Sequence, residues 1–136
     1  WVDPYNHLIT VHPPQPQTQL NRMLSQFDVG LALEIESQDY NRLICLTNKI
    51  WAYFQAGLYI FATDTPTQQQ FMEEHSQHGK LSSLDPIALN ETVQDRLQPK
   101  NEIRRQKAHR FKAAKPFAWE VEQEKLLELI GRLGVW

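Results

Sequence analysis

Two short polar segments of the chain carry the residue types of an anion-binding site. The first is Leu46-Thr47-Asn48-Lys49, and the second is Asp64-Thr65-Pro66-Thr67. Each stands at a predicted helix start, where free backbone amides and the helix dipole favour anions. Lys49 adds a flexible point charge. Both segments are therefore candidate phosphate-binding sites, although Thr47 or Asn48 can equally be an ordinary helix cap beside a solvated Lys49.

The stretch between these two segments predicts a helix followed by a buried strand. From Asn48 the apolar residues recur at helical spacing as far as Gly57, which supplies a left-handed stop. Leu58 to Ala62 is then a continuous apolar run with β-branched and aromatic residues. Such runs are typical of strands that are buried on both faces of a parallel sheet.

A second helix start follows the buried strand. Thr65 stands at the N-cap position, Pro66 at the first helical position, and Gln68 where it would close a capping box. The two polar segments thus flank a helix-strand-helix unit. In open α/β sheets, ligands bind outside the carboxyl ends of the strands, so this end of the unit is the expected binding crevice.

The remaining chain extends this unit into an α/β fold. Leu8 to Val11 and Asp28 to Leu33 are strand candidates, and Gly79 with the serines around it predicts a turn. Predicted helices run from Thr18 to Phe27, from Asp85 to Pro99, from Asn101 as cap to Ala114, and from Trp119 to Leu133. Alternating strands and helices predict one domain over residues 1–136, with a partial doubly wound, Rossmann-like parallel sheet. Residues 84–136 are predicted to form the helical C-terminal part of this domain.

Composition narrows the class of protein. The 136 residues are 41% hydrophobic and 22% charged, which suits one globular domain, and the net charge of −2 does not predict a nucleic-acid binder. Cys45, the single cysteine, excludes an internal disulfide. The sequence shows neither a membrane span nor a secretion signal, so we expect a cytoplasmic protein, with a peripheral position at the inner face of the membrane as the alternative.

The polar segments and the strands near them resemble the donor-binding half of GT-B-type glycosyltransferases of the large family 4 type. Phe27 to Ala32 is similar to the strand that precedes the donor site, and Phe117 to Glu120 is similar to the closing aromatic-tryptophan-glutamate helix. The residues that match the central pattern of the family are Asn48, Lys49, Tyr53, Ala56, Gly57, Asp64, Thr65, Pro66 and Gln68.

This resemblance implies a retaining transferase that binds a nucleotide-sugar donor as substrate and needs no metal or other cofactor. The donor diphosphate would lie over the amides of Leu46, Thr47 and Asn48 and against Lys49, with Thr65 nearby. A complete donor-binding half has two more strands, which would precede Leu8. The resemblance therefore implies that this chain is part of a longer protein, whose N-terminal domain supplies the acceptor contacts, and that it is inactive alone.

Two departures from the family pattern leave an alternative function open. Many members carry two glutamates eight residues apart, the second holding the ribose, and these places are Ile44 and Ala52 here. Glu34 or Glu36, from the long polar loop, would have to substitute, or these two are solvated loop acids. The alternative is a catalytically silent α/β binding or interaction module. A response-regulator-like or flavodoxin-like domain is a third interpretation. This sequence lacks the early acidic pair of the first type and the flavin-phosphate loop of the second.

The segment from Lys100 to Lys115 concentrates basic residues. It holds seven of the fourteen lysines and arginines, opposed only by Glu102. It can be a solvated helix face, or it can contact an anionic membrane surface or an acidic partner. Nucleic acid is not expected, because Phe111 is the one aromatic residue in the segment that could stack a base. His75 and His78 are expected to be surface histidines rather than a metal site.

Overall fold

Three short parallel strands form the sheet: β1 (Val29–Ala32), β2 (Tyr59–Thr63) and β3 (Gly79–Ser82), in the order β1-β2-β3. Val29 lies opposite Tyr59, and Ile60 lies opposite Gly79. The structure is a computed structural model that describes residues 4, 7–34, 44–97 and 100–134. The predicted α/β class and the parallel pairing of the β1 and β2 segments are confirmed.

Six helices flank this sheet in the described part of the chain. They are α1 (Gln17–Leu24), α2 (Asn48–Gln55), α3 (Pro66–Glu74), α4 (Pro86–Leu97), α5 (Lys100–Ala114) and α6 (Trp119–Arg132), with 3-10 turns at Ser76–His78 and Lys115–Phe117. All six helices lie where the sequence predicts them. The expected cap at Asn101 is wrong in detail, because α5 already begins at Lys100 and Asn101 lies in its first turn.

Two predictions of strand and turn are wrong. Residues 8–11 form no strand and are exposed, because nothing in the described chain pairs with them or covers their apolar side chains. Gly79, predicted as a turn, opens β3 instead. A β-carbon at Gly79 would lie 1.9 Å from the Ile60 carbonyl oxygen. The glycine is therefore required for the close approach of β3 to β2, and it does not mark a turn.

The core is built around β2. Ile60 and Ala62 are fully buried, as the continuous apolar run predicts for a central strand. Phe54 of α2 and Phe71 of α3 meet beside this strand in an edge-to-face contact, with ring centroids 5.3 Å apart. Burial of each such side chain contributes about 1.5 to 3 kcal/mol to stability. In contrast, Leu31 on the outer strand β1 is 54% exposed.

A buried arginine attaches α5 to the turn between α2 and β2. Gly57 has the predicted left-handed conformation, with φ of 70°. A β-carbon there would lie 2.8 Å from the Lys107 carbonyl oxygen, so α5 packs directly on the turn. Arg110 is 1% exposed and donates from Nε to the Gly57 oxygen (3.1 Å) and from Nη2 to the Ile103 oxygen (2.7 Å). For Arg110, the prediction of a solvated basic face is wrong.

His78 is buried as well, which contradicts its prediction as a surface histidine. Its Nε2 lies 3.2 Å from the Arg110 carbonyl oxygen, and because a carbonyl can only accept, Nε2 carries the proton. Its Nδ1 has no partner among the described residues. Burial lowers the pKa of His78, and its hydrogen bonds to the backbone of Arg110 and His75 oppose this shift. The charges of His75 and Arg110 lower the pKa further. His75 is half-buried, and burial lowers its pKa too, against the opposing effect of Glu74.

We predict that Arg110→Ala lowers the free energy of unfolding by about 2 to 4 kcal/mol, because it leaves two buried carbonyl oxygens without their donor and opens a cavity. Urea denaturation measures the change. Arg105→Ala, an exposed position on the same helix, is the matched control and should leave the midpoint within error. Equal effects of the two variants would show that Arg110 does not hold α5 in place.

The lowered pKa of His78 predicts a loss of stability in mild acid. Because the unfolded state takes up the proton first, near pH 6.5, this contribution is fully present above that pH and declines as pH falls through it. For one titrating group, the free energy of unfolding changes by at most about 1.4 kcal/mol per pH unit. His78→Gln keeps a donor for the Arg110 carbonyl and cannot titrate, so its stability should fall less between pH 7.5 and 5. Parallel curves for the two proteins would contradict this.

Candidate functional site

Side chains at the start of α2 contact Glu34 at the carboxyl end of β1. Glu34 lies two residues past the end of β1, and its Oε1 is 2.7 Å from Lys49 Nζ at the start of α2. The same Oε1 accepts a hydrogen bond of 3.2 Å from the Thr47 hydroxyl. The Glu34 side chain is 8% exposed, whereas that of Lys49 is 44% exposed. The predicted residues on α2 and after β1 therefore form one contact, and Lys49 is not a solvated charge.

A chain of buried hydrogen bonds holds these strand ends in register. The Glu34 amide donates to Thr63 Oγ1 (3.0 Å), and the Thr63 hydroxyl donates to Gln68 Oε1 (3.0 Å). Gln68 Nε2 then donates to the Ala32 carbonyl oxygen (3.1 Å). We call Ala32, Glu34, Thr63 and Gln68 the strand-end network. The predicted capping box is wrong, because Gln68 turns into this network and no side chain caps the start of α3.

The start of α2 is also without a side-chain cap. Thr47 occupies the N-cap position in an extended conformation, but its hydroxyl is directed to Glu34 and makes no capping hydrogen bond. The first backbone bond of the helix runs from the Ile50 amide to the Thr47 carbonyl (3.2 Å). Asn48 and Lys49 precede that bond, so their amides belong to the set that a helix start leaves without an intrahelical acceptor. An anion could accept from them.

Next to the strand-end network lies a cleft of about 330 Å³, lined by the last residue of β2 and by residues that follow each of the three strands. We call it the strand-end cleft. Its polar lining residues are Glu34, Thr63, Asp64, Thr65, Ser83 and Asp85. Asp85 caps α4 through Oδ1, which accepts from the amides of Ile87 and Ala88, each at 3.0 Å. The predicted cap-then-proline start of α4 is thereby confirmed.

Thr65, a predicted site residue, lies in this cleft. It is 6% exposed, and its Oγ1 has no hydrogen-bond partner among the described residues. A buried hydroxyl without a partner is uncommon, since nearly all buried polar groups in proteins are hydrogen-bonded. Of the predicted residues, Glu34 and Thr65 line this cleft, and Thr47 and Lys49 contact Glu34. Leu46 packs against the hydrophobic core, Asn48 begins α2, and Glu36 lies outside the described residues.

Sequence reasoning missed Thr63, Gln68 and Asp85 as parts of this site. Thr63 could have been identified as the polar residue that ends the apolar strand. Asp85 could have been identified as a residue that follows the next strand, if β3 had been predicted. Ala52, at the place of the ribose-binding glutamate, lies elsewhere. It lines a groove of about 620 Å³ along α5, which shares no lining residue with the strand-end cleft.

Some residues of the basic segment line that groove. We call it the α5 groove; several alanines and Phe111 line it, with Arg104 and Lys107. The Lys107 ammonium donates to the carbonyl oxygens of Ser25 and Phe27, and Arg104 lies 3.6 Å from Asp28. Arg105, Lys112 and Lys115 are exposed. Contact of this surface with an anionic membrane or an acidic partner stays a prediction.

Comparison with known proteins gives no identification: no family model, no curated protein and no solved structure matches the chain. In the described ranges, no three or more histidine, cysteine or acidic side chains are placed to hold a metal ion. None of the helices in those ranges is long and apolar enough to cross a membrane. Any statement about function thus depends on the geometry of the strand ends and on the sequence pattern.

We predict that Gln68→Met lowers the free energy of unfolding by about 2 kcal/mol, because the substitution removes the side-chain donor of the buried Ala32 carbonyl and the acceptor of the Thr63 hydroxyl. Gln70→Met is the matched control on the exposed side of the same helix and should have little effect. Chemical denaturation of both variants gives the comparison. If Gln68→Met were as stable as its control, the strand-end network would not order these strand ends.

Proposed function

We propose that this chain is the donor-binding part of a retaining GT-B-type glycosyltransferase, which transfers a sugar from a nucleotide-sugar to an acceptor. The observation that carries the proposal is the contact of Lys49 with Glu34 beside the uncapped start of α2. It lies at the carboxyl ends of parallel strands, where α/β folds bind nucleotides. Asn48 and Lys49, two of the residues that match the family pattern, begin α2 there, whereas Ala56 and Gly57 lie at the other end of this helix.

In this proposal, the donor diphosphate accepts hydrogen bonds from the amides of Leu46, Thr47 and Asn48. Lys49 leaves Glu34 and contacts a phosphate oxygen. Breaking the pair alone would leave the buried Glu34 carboxylate without its cation, which costs about 3 to 5 kcal/mol, whereas a hydrogen bond to a charged phosphate contributes about 1.5 to 3 kcal/mol. The exchange therefore requires that hydroxyl groups of the donor replace Lys49 as partners of Glu34. These groups stabilise the diphosphate as the bond to the sugar breaks, which is how a positioned positive potential accelerates such a step.

Glu34 is a buried carboxylate next to the proposed diphosphate site, whereas Ala52 lies in the α5 groove. Once Lys49 has moved to the phosphate, the buried Glu34 carboxylate can accept hydrogen bonds from hydroxyl groups of the donor. The Thr47 hydroxyl remains within 3.2 Å of Glu34 Oε1 and keeps that carboxylate oriented. Binding of the diphosphate and binding of the hydroxyl groups are thereby coupled through one ion pair.

Further elements of the proposal follow from the resemblance. The strands that complete the donor-binding half and an N-terminal domain that contacts the acceptor would belong to the same longer protein. The exposed Arg105 and Lys112 of α5, with Lys115 directly after it, would hold that protein at an anionic membrane surface on the cytoplasmic side. A transferase acting on a lipid-linked acceptor would use such a surface.

A catalytically silent binding module is the second candidate, and Ala52 favours it. Its methyl group lines the α5 groove, so no carboxylate is present at the place where many members of the family hold the ribose. A protein that has lost donor binding could keep the strand-end network for stability alone. Binding of a nucleoside diphosphate separates the two candidates.

We predict that Lys49→Gln in the full-length protein weakens binding of a nucleoside diphosphate ten- to a hundredfold, which corresponds to the loss of a charge-assisted contact of about 1.5 to 3 kcal/mol. Glutamine keeps a donor for the buried Glu34, so the fold should survive. Lys112→Gln, an exposed change of the same charge on α5, is the control and should bind normally. Calorimetry with UDP, GDP and ADP measures the affinities. Absence of binding by the unaltered protein would favour the silent module.

A further inference from the structure

The charge of the strand-end cleft differs from that of the α2 start next to it. Three carboxylates line the cleft, those of Glu34, Asp64 and Asp85, and no lysine or arginine of the described chain lines it. Lys49 contacts Glu34 but is not itself among the residues that line the cleft. A second anionic group placed here would be repelled by all three carboxylates. The cleft therefore does not suit a phosphate.

Thr65 supplies an independent indication that a ligand group belongs in this cleft. Its side chain is more than nine-tenths buried, and its hydroxyl has neither donor nor acceptor among the described residues. The other buried hydroxyl of the lining, that of Thr63, is fully engaged with the Glu34 amide and Gln68. A hydroxyl group that is left without a partner beside three carboxylates is suited to a ligand that both donates and accepts hydrogen bonds.

A metal ion does not fit these residues, because they include no three acidic side chains close enough to share one ion. A ring carrying several hydroxyl groups does fit, since each hydroxyl can donate to a carboxylate oxygen and accept from Thr65. Glu34 and Asp85 each have one carboxylate oxygen in contacts with the protein, Glu34 with Thr47 and Lys49 and Asp85 with the cap of α4. Each of these carboxylates has a second oxygen that can accept from the ring.

We propose that the strand-end cleft binds the sugar ring of the donor, and that its carboxylates restrict the donor to neutral hexoses and exclude hexuronates. The inference rests on the proposed function. Glu34 connects the two parts, because it lines the cleft and also contacts Lys49 at the diphosphate site. A hexose ring fits into about 330 Å³. A sugar carboxylate there would meet Asp64 and Asp85 without a cation to pair with.

The test compares donors that differ only in the charge of the sugar. Calorimetry on the full-length protein would use UDP-glucose against UDP-glucuronate, and GDP-mannose against GDP-mannuronate. We expect the hexose of the preferred nucleotide to bind at least tenfold more tightly than its hexuronate, a difference of about 1.4 kcal/mol. Asp64→Asn should reduce this preference to less than threefold. Glu73→Gln, an exposed change of the same charge on α3, should preserve it.

Thr65→Val separates ligand binding from a structural role. Replacing an unpartnered buried hydroxyl by a methyl group of similar size should leave the melting temperature unchanged or raise it. The same variant should bind the nucleotide-hexose at least threefold more weakly and the free nucleoside diphosphate normally. Equal loss for both ligands would overturn the assignment of Thr65 to the sugar.

The outcomes distinguish this inference from the proposed function. Binding of free UDP or GDP together with equal affinity for hexose and hexuronate would overturn the sugar assignment and leave the diphosphate site in place. Failure to bind any nucleoside diphosphate, with or without sugar, would overturn both. A strong preference for the hexose that Asp64→Asn removes would support both.

Discussion

The buried side-chain amide of Gln68 is the contact on which the functional end of the sheet depends. It donates to the Ala32 carbonyl at the end of β1 and accepts from the Thr63 hydroxyl at the end of β2. Thr63 in turn accepts from the Glu34 amide, so the position of Glu34 follows from that of Gln68. A polar network that is fully satisfied in a region of low dielectric is rigid, because every alternative leaves a buried group unpaired. Such rigidity is what a preorganised binding site requires.

A buried cation stabilises the turn that leads into β2. Arg110 donates to the carbonyl of Gly57 at the turn into β2, and His78 donates to the carbonyl of Arg110 itself. These bonds fix α5 against α2 and leave other basic residues of α5 exposed. The basic segment is thus divided between a structural part and a surface part. Lys49, by comparison, is paired at the edge of the site, where a stronger anion can replace its partner.

The sequence predicted the helices and the strands β1 and β2 well, because apolar periodicity, Gly57 and the cap-proline pairs are local signals. It failed where a distant contact overrides local chemistry. Gly79 has the composition of a turn, yet it lies in a strand because only glycine fits against Ile60. Gln68 has the position of a capping residue, yet its side chain donates to the buried Ala32 carbonyl as part of the strand-end network. The ion pair of Lys49 was not foreseen, since it joins residues on separate elements.

The candidate site was predicted in part for the same reason. Residues at helix starts, such as Thr47 and Thr65, can be found from local signals, whereas the strand-end cleft that Thr65 lines depends on the order of the strands. The most direct test of the account is a crystal structure of the full-length protein with a bound nucleotide-sugar. We expect the diphosphate at the amides of the α2 start, Lys49 moved from Glu34 to a phosphate oxygen, and the sugar in the strand-end cleft. A nucleotide bound elsewhere, with the Lys49 to Glu34 contact intact, would contradict it.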